Sequence, residues 1–381
     1  MKLTIFTPLY NRREDVKRLY QSLLEQSVTD FEWLVIDDGS KDYPEEVFSE
    51  IMKENHDFEI VFLSQPNGGK HRAMNRAFRE ARGEYFVVCD SDDYFTIGAL
   101  DTIFTWLDEI QEETHLSGVA GLKISPDGEL LLWDEKEDGS ICLYGGKPGF
   151  SEPVDANFFD ILQYGMRGDR CEIFKTDVIR KYPLPEYEKE NFATEGIMYN
   201  RMIRDDVKLR WHTKPLEVCE YMEGGLTQNG LQKFIDNPKG YALYIREDIG
   251  SEEEKENAFY DYYLRLKDRL SLNEIAENLG IKDLSFFDEI KEKRKQEQMQ
   301  ELQLMKEVLN TRKNLLAAGE ELYRQMEPQL KSLLRKGLRH SNEGDFLFTD
   351  TLDEAERKLL LIEHEERKTD ATKSVGDCTG L

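Results

Sequence analysis

Three aspartates, Asp90, Asp92 and Asp93, follow directly on the apolar run Tyr85-Phe86-Val87-Val88-Cys89. Alternation along an extended strand would carry the Asp90 and Asp92 carboxylates to the same side. Oxygen ligands so arranged suit a hard divalent ion, because Mg²⁺ or Mn²⁺ typically takes one or two carboxylates and completes its shell with substrate phosphates. An acidic solvated loop would carry the same residues, and the buried strand in front of them is what argues for a site. Asp37-Asp38-Gly39-Ser40 follows the apolar run 33–36 in the same way. A carboxylate there can accept the imide N–H of uracil or thymine, while an Asx turn with Gly39 at positive φ accounts for the same residues equally well. Asn67-Gly68-Gly69-Lys70 precedes a helical pattern with Ala73, Met74, Ala77, Phe78 and Ala81 on one face. Its backbone N–H groups and Lys70 could meet phosphate or ribose, or serve only as a helix-entry turn.

The elements that must hold these clusters alternate regularly. Apolar runs at 3–7, 33–36, 60–63 and 85–89 are separated by helical patterns at 14–26, 44–54 and 71–82, a β-α-β-α-β-α-β order. Strands that are apolar throughout and joined by helices indicate a parallel sheet covered on both faces, with ligands beyond the carboxyl ends of the strands. Each polar cluster, including Pro8-Leu9-Tyr10-Asn11, falls at such an end. Carboxylates gathered on one rim repel one another unless a cation or hydrogen-bond donors are present. Shorter strands at 119–124, 130–133 and 172–174, separated by turns such as Pro126-Asp127-Gly128, read as the second half of the same domain.

Bulk properties narrow the chemistry. The chain of 381 residues carries 77 acidic against 51 basic residues, and the net charge of -26 argues against nucleic-acid binding. Five scattered cysteines and six isolated histidines offer no zinc spacing and no disulfide framework. No apolar run reaches the roughly 18 residues of a membrane span, and the first residues lead straight into a strand rather than a signal-peptide core. The expectation is a soluble, cytoplasmic protein, with contact at the inner face of the membrane left open.

The four clusters, in this order and spacing, resemble the family 2 glycosyltransferases of the GT-A fold. The matching residues are Thr7-Pro8-Leu9-Tyr10-Asn11-Arg12, Val35-Ile36-Asp37-Asp38-Gly39-Ser40, Asn67-Gly68-Gly69-Lys70-His71 with Asn75, and Gly83-Glu84-Tyr85 running into Asp90-Ser91-Asp92-Asp93. The resemblance is specific to about residue 100, weaker to about 230, and absent beyond. It implies a mostly parallel Rossmann-like α/β sheet flanked by helices. It also implies an inverting transfer of sugar from a nucleotide-sugar, UDP-sugar favoured, to a glycan or lipid-linked acceptor. By the same resemblance Pro8, Tyr10 and Asp38 line the base, Asn67, Lys70 and Asp90 hold ribose or phosphate, and Asp92, with Asp90, holds the Mn²⁺ or Mg²⁺. Asp93 is kept as a further contact at the same place. The acceptor base it implies is a carboxylate in a segment like Phe192-Ala193-Thr194-Glu195-Gly196, so Glu195, with Asp169 as the fallback. Residues 221–227 resemble the loop closing the acceptor side. The Q-x-x-R-W signature of processive synthases is missing, since Val207 stands where the glutamine would precede Arg210-Trp211.

The domain plan expected is a catalytic domain over 1–235, a helical linker region packed on it over 236–290, a helical extension over 291–368 and a disordered tail over 369–381. Leu302, Leu309, Leu316, Tyr323 and Leu330 recur every seven residues, but Arg312 and Gly319 interrupt the second seam. A hairpin folded on the chain's own domain is preferred slightly to a homodimer through these helices. Lys331, Arg335, Lys336 and Arg339 form a basic patch whose default reading is complementarity to a helix C-terminus, with anionic lipid as the alternative. Two rival functions remain: a sugar-1-phosphate nucleotidyltransferase, disfavoured by the glycine-free loop after the first strand, and a non-catalytic sugar-nucleotide-binding scaffold.

Overall fold

A computed structural model describes residues 1–132, 134–135, 141–142, 146–220, 230–318, 324–331, 352 and 355–359. The chain divides into two compact units, Met1–Ile281 and Lys282–Leu381.

In the first unit β1 (Leu3–Leu9), α1 (Val16–Leu24), β2 (Phe31–Asp37), α2 (Pro44–Ile51), β3 (Glu59–Ser64), α3 (Lys70–Glu80) and β4 (Tyr85–Val88) follow in the expected order. The strands are parallel neighbours in the order β3-β2-β1-β4. Because side chains alternate across a pleated strand, Ile5, Trp33, Val35 and Val87 pack on one face with Val16, Leu19, Phe48 and Ile51. Phe6, Leu34, Ile36 and Phe86 pack on the other with Ala73, Met74, Ala77 and Phe78. Each such side chain buried contributes about 1.5–3 kcal/mol, which is why runs apolar at every position choose the middle of a two-sided sheet. The register pairs Leu9 with Asp37 and Asp37 with Ser64, so the three strands end on one rim.

The sheet then changes character. After β5 (Tyr94–Phe95), α4 (Ala99–Glu109) and β6 (Leu116–Ile124), a small ribbon is formed by β7 (Asp134–Glu135) and β8 (Ile141–Cys142). It is followed by β9 (Val154–Ala156), β10 (Arg170–Lys175), α5 (Thr176–Ile179), α6 (Gly196–Arg204) and β11 (Lys208–Val218). β10 inserts antiparallel between β4 and β6, and β11 runs parallel to β6. Both β5 and β9 pair antiparallel with β11. The expected strand at 130–133 is reduced to single bridges, Leu130 to Ile124 and Leu132 to Gly168, with residue 133 outside the described residues.

Helices α7 (Gln232–Ile235), α8 (Pro238–Arg246), α9 (Glu252–Leu266) and α10 (Leu272–Leu279) complete the unit, α8 packing against α6, α7, α9 and α10. Ser251 with Glu254 and Ser271 with Glu274 form capping boxes that start α9 and α10. Gly280 ends α10 at φ 70°, and the unit closes one residue later.

The second unit contains α11 (Ser285–Ala318) and helical stretches at 324–331 and 355–359. Met305, Val308 and Leu309 are buried with Leu330, Leu352 and Ala355, and Leu302 and Leu315 pack against them. Leu316 is exposed. The packed positions thus leave the seven-residue series after Leu309, with Leu315 rather than Leu316 against the cluster. The stripe is covered from within its own unit. Residues 221–227, Arg335, Lys336, Arg339 and the tail 369–381 lie outside the described residues. Among the described residues no helix is long and apolar enough to cross a membrane.

Candidate active site

The loops after β1 and β2 are stitched together. The Asn11 amide, at φ 53°, donates to Ser40 Oγ (2.9 Å), the Lys41 amide donates to Asn11 Oδ1 (2.8 Å), and the Arg13 amide donates to Asp42 Oδ2 (2.9 Å). Pro8 is half-buried beside them and the Tyr10 ring is exposed.

Asp38 is expected to offer its carboxylate to a base. It is buried and already accepts from Gln65 Nε2 (2.8 Å), Asn67 Nδ2 (3.0 Å), the Gly68 amide (3.0 Å) and the Gly69 amide (2.7 Å). With its acceptor sites so occupied, Asp38 latches the 65–69 loop onto β2. Asn67 is correspondingly divided between the Asp38 carboxylate and its carbonyl (2.9 Å). Glycine is required on both sides of this latch. A Cβ on Gly39 (φ 73°) would stand 2.7 Å from the Asn67 nitrogen, and one on Gly69 (φ 95°) would stand 1.8 Å from the Asn191 carbonyl oxygen.

That close approach of Gly69 to Asn191 brings two distant segments together at Lys70. Its ammonium lies 2.8 Å from Asp90 Oδ1 and 3.0 Å from Glu195 Oε1, although the residues are far apart in sequence. Burial alone would push the Lys70 ammonium down, but the carboxylates of Asp90 and Glu195 outweigh it and hold the group above the ordinary lysine range. Glu195 is the N-cap residue of α6. Its loop is anchored from behind: the Asn191 and Phe192 amides donate to Asn237 Oδ1 (2.8 and 3.1 Å). The buried Glu190 carboxylate meanwhile accepts from the Lys239 and Gly240 amides (2.7 and 2.9 Å) at the start of α8, the helix end that favours an anion.

The aspartates do not continue β4. They occupy a turn in which the Asp93 amide donates to the Asp90 carbonyl (3.0 Å), so strand alternation is not what orders their side chains. The three diverge in partner. Asp90 faces Lys70, and although burial would raise its carboxyl, Lys70 and Lys123 hold it below the usual range. Asp93, expected as a donor or metal contact, is 2% exposed and paired with Lys123 (2.9 Å), its carboxylate facing inward. Asp92 has no ion pair among the described residues. Burial, followed by the charges of Asp90 and Asp93, raises its carboxyl, with Arg12 acting weakly against them. From outside, Arg18 donates to the Asp92 carbonyl (2.6 Å), pairs with Glu220 (2.5 Å) and lies over the Tyr94 ring.

This donor set fits a divalent ion held largely by its substrate. Among the described residues no group of three or more His, Cys, Asp or Glu side chains is arranged to hold a metal. Asp92, which has no ion pair among the described residues, and Asp90 next to it are the side chains that would hold such an ion. Two carboxylates with the remaining ligands from diphosphate and water is the ordinary habit of Mg²⁺ and its close relatives.

Asp169 is exposed, and its charge reaches both Glu172 and Cys219. Glu172, on β10, was not singled out by its sequence context. Its carboxyl is raised to about 7, chiefly by burial, with Arg170 (3.3 Å) and Lys123 opposing and the charges of Glu195 and Asp169 adding to the rise. Lys123 and the fully buried Glu217 were missed likewise. The available signal was Lys123 near the end of the largely apolar β6; Glu217 had none, because β11 also carries Lys208, Arg210, His212 and Lys214.

Residues 4–119 match the family model described as "Glycosyl transferase family 2". The glycosyltransferase EpsJ of Bacillus subtilis, itself uncharacterized, is 32% identical over 269 residues, spanning 68% of this chain and 70% of that protein. Chondroitin synthase of Pasteurella multocida is 34% identical over 131 residues, 34% of this chain and only 13% of that much longer protein. Among solved structures, the 1–349 fragment of S. aureus TarS in complex with UDP-GlcNAc aligns at TM-score 0.48 and 16% identity, covering 97% of this chain and 92% of that one. The chain belongs to the family 2 glycosyltransferases.

Proposed function

We propose that the protein moves a sugar from a nucleotide-sugar, with UDP-sugars favoured, to a hydroxyl of a growing glycan or a lipid-linked saccharide, with inversion, without processivity and with Mn²⁺ or Mg²⁺. The observation that carries this reading is the convergence of Lys70, Asp90 and Glu195 on one point of the rim, beside an Asp92 with no ion pair among the described residues. Lys70 is the group for the donor diphosphate. A diphosphate arriving there competes with Asp90 and Glu195 for the ammonium, and Glu195 released from it can take the proton of the acceptor hydroxyl. The acceptor oxygen then attacks the anomeric carbon from the side opposite the leaving diphosphate, and a single displacement inverts that centre. A divalent ion at Asp92, shared with Asp90, would supply Lewis-acid stabilisation of the charge growing on the leaving group. Tyr10, exposed beside Pro8, supplies an open ring against which a base can lie. A polysaccharide acceptor is favoured by the similarity to a chondroitin synthase.

The test is a panel of UDP-, GDP- and dTDP-sugars incubated with Mn²⁺ and oligosaccharide or lipid-linked acceptors, followed by assay for the nucleoside diphosphate released. Metal-dependent release from one donor class is expected. Pyrophosphate released from a nucleoside triphosphate and a sugar 1-phosphate would instead favour the nucleotidyltransferase. Donor binding without turnover on any acceptor would favour the scaffold.

A further inference from the structure

Beneath the aspartate turn lies a buried charge network that the transfer chemistry does not use directly. Lys123 and Glu217 are register partners on the parallel strands β6 and β11, and their side chains meet at 2.6 Å. Lys123 also reaches Asp93 at 2.9 Å, and its side chain is only 12% exposed. The second oxygen of Glu217 accepts from Cys171 Sγ (3.0 Å) on β10. One ammonium thus neutralises two carboxylates in a region where an unpaired charge would be costly.

The residues on either side of Asp93 show what this network fixes. Immediately after it, Tyr94 and Phe95 pair as β5 with Val218 and Glu217 of β11. The strand bearing Glu217 therefore holds the chain just past the turn, while Lys123 holds the turn's last side chain. Before it, the Cys89 amide donates to the Phe6 carbonyl (2.9 Å) at the end of β4. With Asp93 drawn inward and both ends of the turn fixed, Asp92 is left beside Asp90 as the carboxylate of the turn with no ion pair among the described residues.

We infer that Lys123 is a positioning residue for the metal-binding turn: by holding Asp93 inward against Glu217 it sets the placement of Asp92 and Asp90, without touching donor or metal itself. The inference rests on the proposed metal site at Asp92. Groups behind metal ligands commonly change metal affinity by about 10- to 100-fold when removed.

The experiment measures Mn²⁺ uptake by the full chain in the presence of UDP, using the EPR signal of free Mn²⁺, for wild type, Lys123→Met, Lys123→Arg and Asp93→Asn. The expected result is a loss of Mn²⁺ affinity of about tenfold or more in Lys123→Met, with partial recovery in Lys123→Arg, which restores the charge. Turnover should fall while the donor KM at saturating Mn²⁺ changes little. Lys123→Met leaves two buried carboxylates without their cation, so Asp93→Asn serves where it does not fold. That change breaks the same link from the turn while Lys123 keeps Glu217, and it should weaken Mn²⁺ uptake similarly. A folded Lys123→Met, or in its place a folded Asp93→Asn, that takes up Mn²⁺ as wild type does overturns the inference and leaves the metal site standing. A wild-type protein that takes up no Mn²⁺ with UDP overturns the metal site, and the inference with it.

Discussion

The Lys70 ammonium lies 3.0 Å from Glu195 Oε1, joining the first turn of α3 to the cap of α6 across the rim of the sheet. The same ammonium contacts Asp90, so the residue proposed as acceptor base and the residue proposed to share the metal are held by one cation. Glu195→Gln keeps the size of the side chain and removes its basicity. Turnover should fall by about 10²- to 10⁴-fold, with little change in donor affinity. Steady-state kinetics on the donor and acceptor identified by the panel check this, and a variant at the parental rate would move the role to Asp169.

Asp38→Ala removes the carboxylate that receives the Gly68 and Gly69 amides and the side chains of Gln65 and Asn67. Several donors to a charged acceptor are left unpaired, so a loss of about 3 kcal/mol in stability is expected. Donor KM should rise as well, because the loop carrying Lys70 is no longer latched. Denaturant unfolding and kinetics read the two effects separately. Full stability in this variant would return Asp38 to the role of a base contact.

Gly69→Ala tests the approach of that loop to the Glu195 segment. A Cβ 1.8 Å from the Asn191 carbonyl oxygen cannot be accommodated in place, and φ 95° is strained for alanine. A destabilisation of about 2 kcal/mol is expected, with turnover falling further than stability accounts for, since the Lys70 to Glu195 distance must open. Gly98→Ala is the comparison: φ is again positive at 70°, but nothing lies within 4 Å of the added carbon. It should cost less and leave turnover unchanged.

Glu172 gives a pH dependence of definite sign. Its carboxyl is raised in the fold from the ordinary 4.5 to about 7, chiefly by burial, so folding favours its protonated form. Its contribution to stability is fully present below about pH 4.5 and is lost as pH rises through about 7. Glu172→Gln removes this penalty. The variant should match wild type near pH 4 and exceed it near pH 8 by about 1–3 kcal/mol, checked by melting curves at both values. An unchanged difference across that range would mean that the Arg170 pairing, not burial, governs Glu172.

The first four strands and three helices were legible because their apolar positions follow simple periods. So was the rim, since each strand empties into residues that cannot be buried alone. The roles of individual carboxylates were less legible, because they depend on which lysine reaches which aspartate. Asp38, Asp92 and Asp93 look interchangeable in sequence. In the fold Asp38 is saturated by loop amides and Asp93 is drawn inward by Lys123, whereas Asp92 has no such partner among the described residues. Lys123 acts from 30 positions beyond Asp93, and Glu217 from nearly 100 beyond Lys123, so only the antiparallel insertion of β10 and the return of β11 bring them together. The second unit shows the opposite balance: its heptad spacing was visible, but the stripe that is buried includes Val308 and leaves out Leu316.

The most direct test of the central claim is the melting temperature of wild type and Asp92→Asn, each with a UDP-sugar at about 100 times its Kd, with and without Mn²⁺. Mass action at that concentration stabilises by about 2.7 kcal/mol, an upward shift of about 5–10 °C for a catalytic unit of this size. The account predicts that this shift appears in wild type only when donor and Mn²⁺ are present together, and that it is absent from Asp92→Asn. An equal shift in Asp92→Asn, or in wild type without the metal, would contradict it.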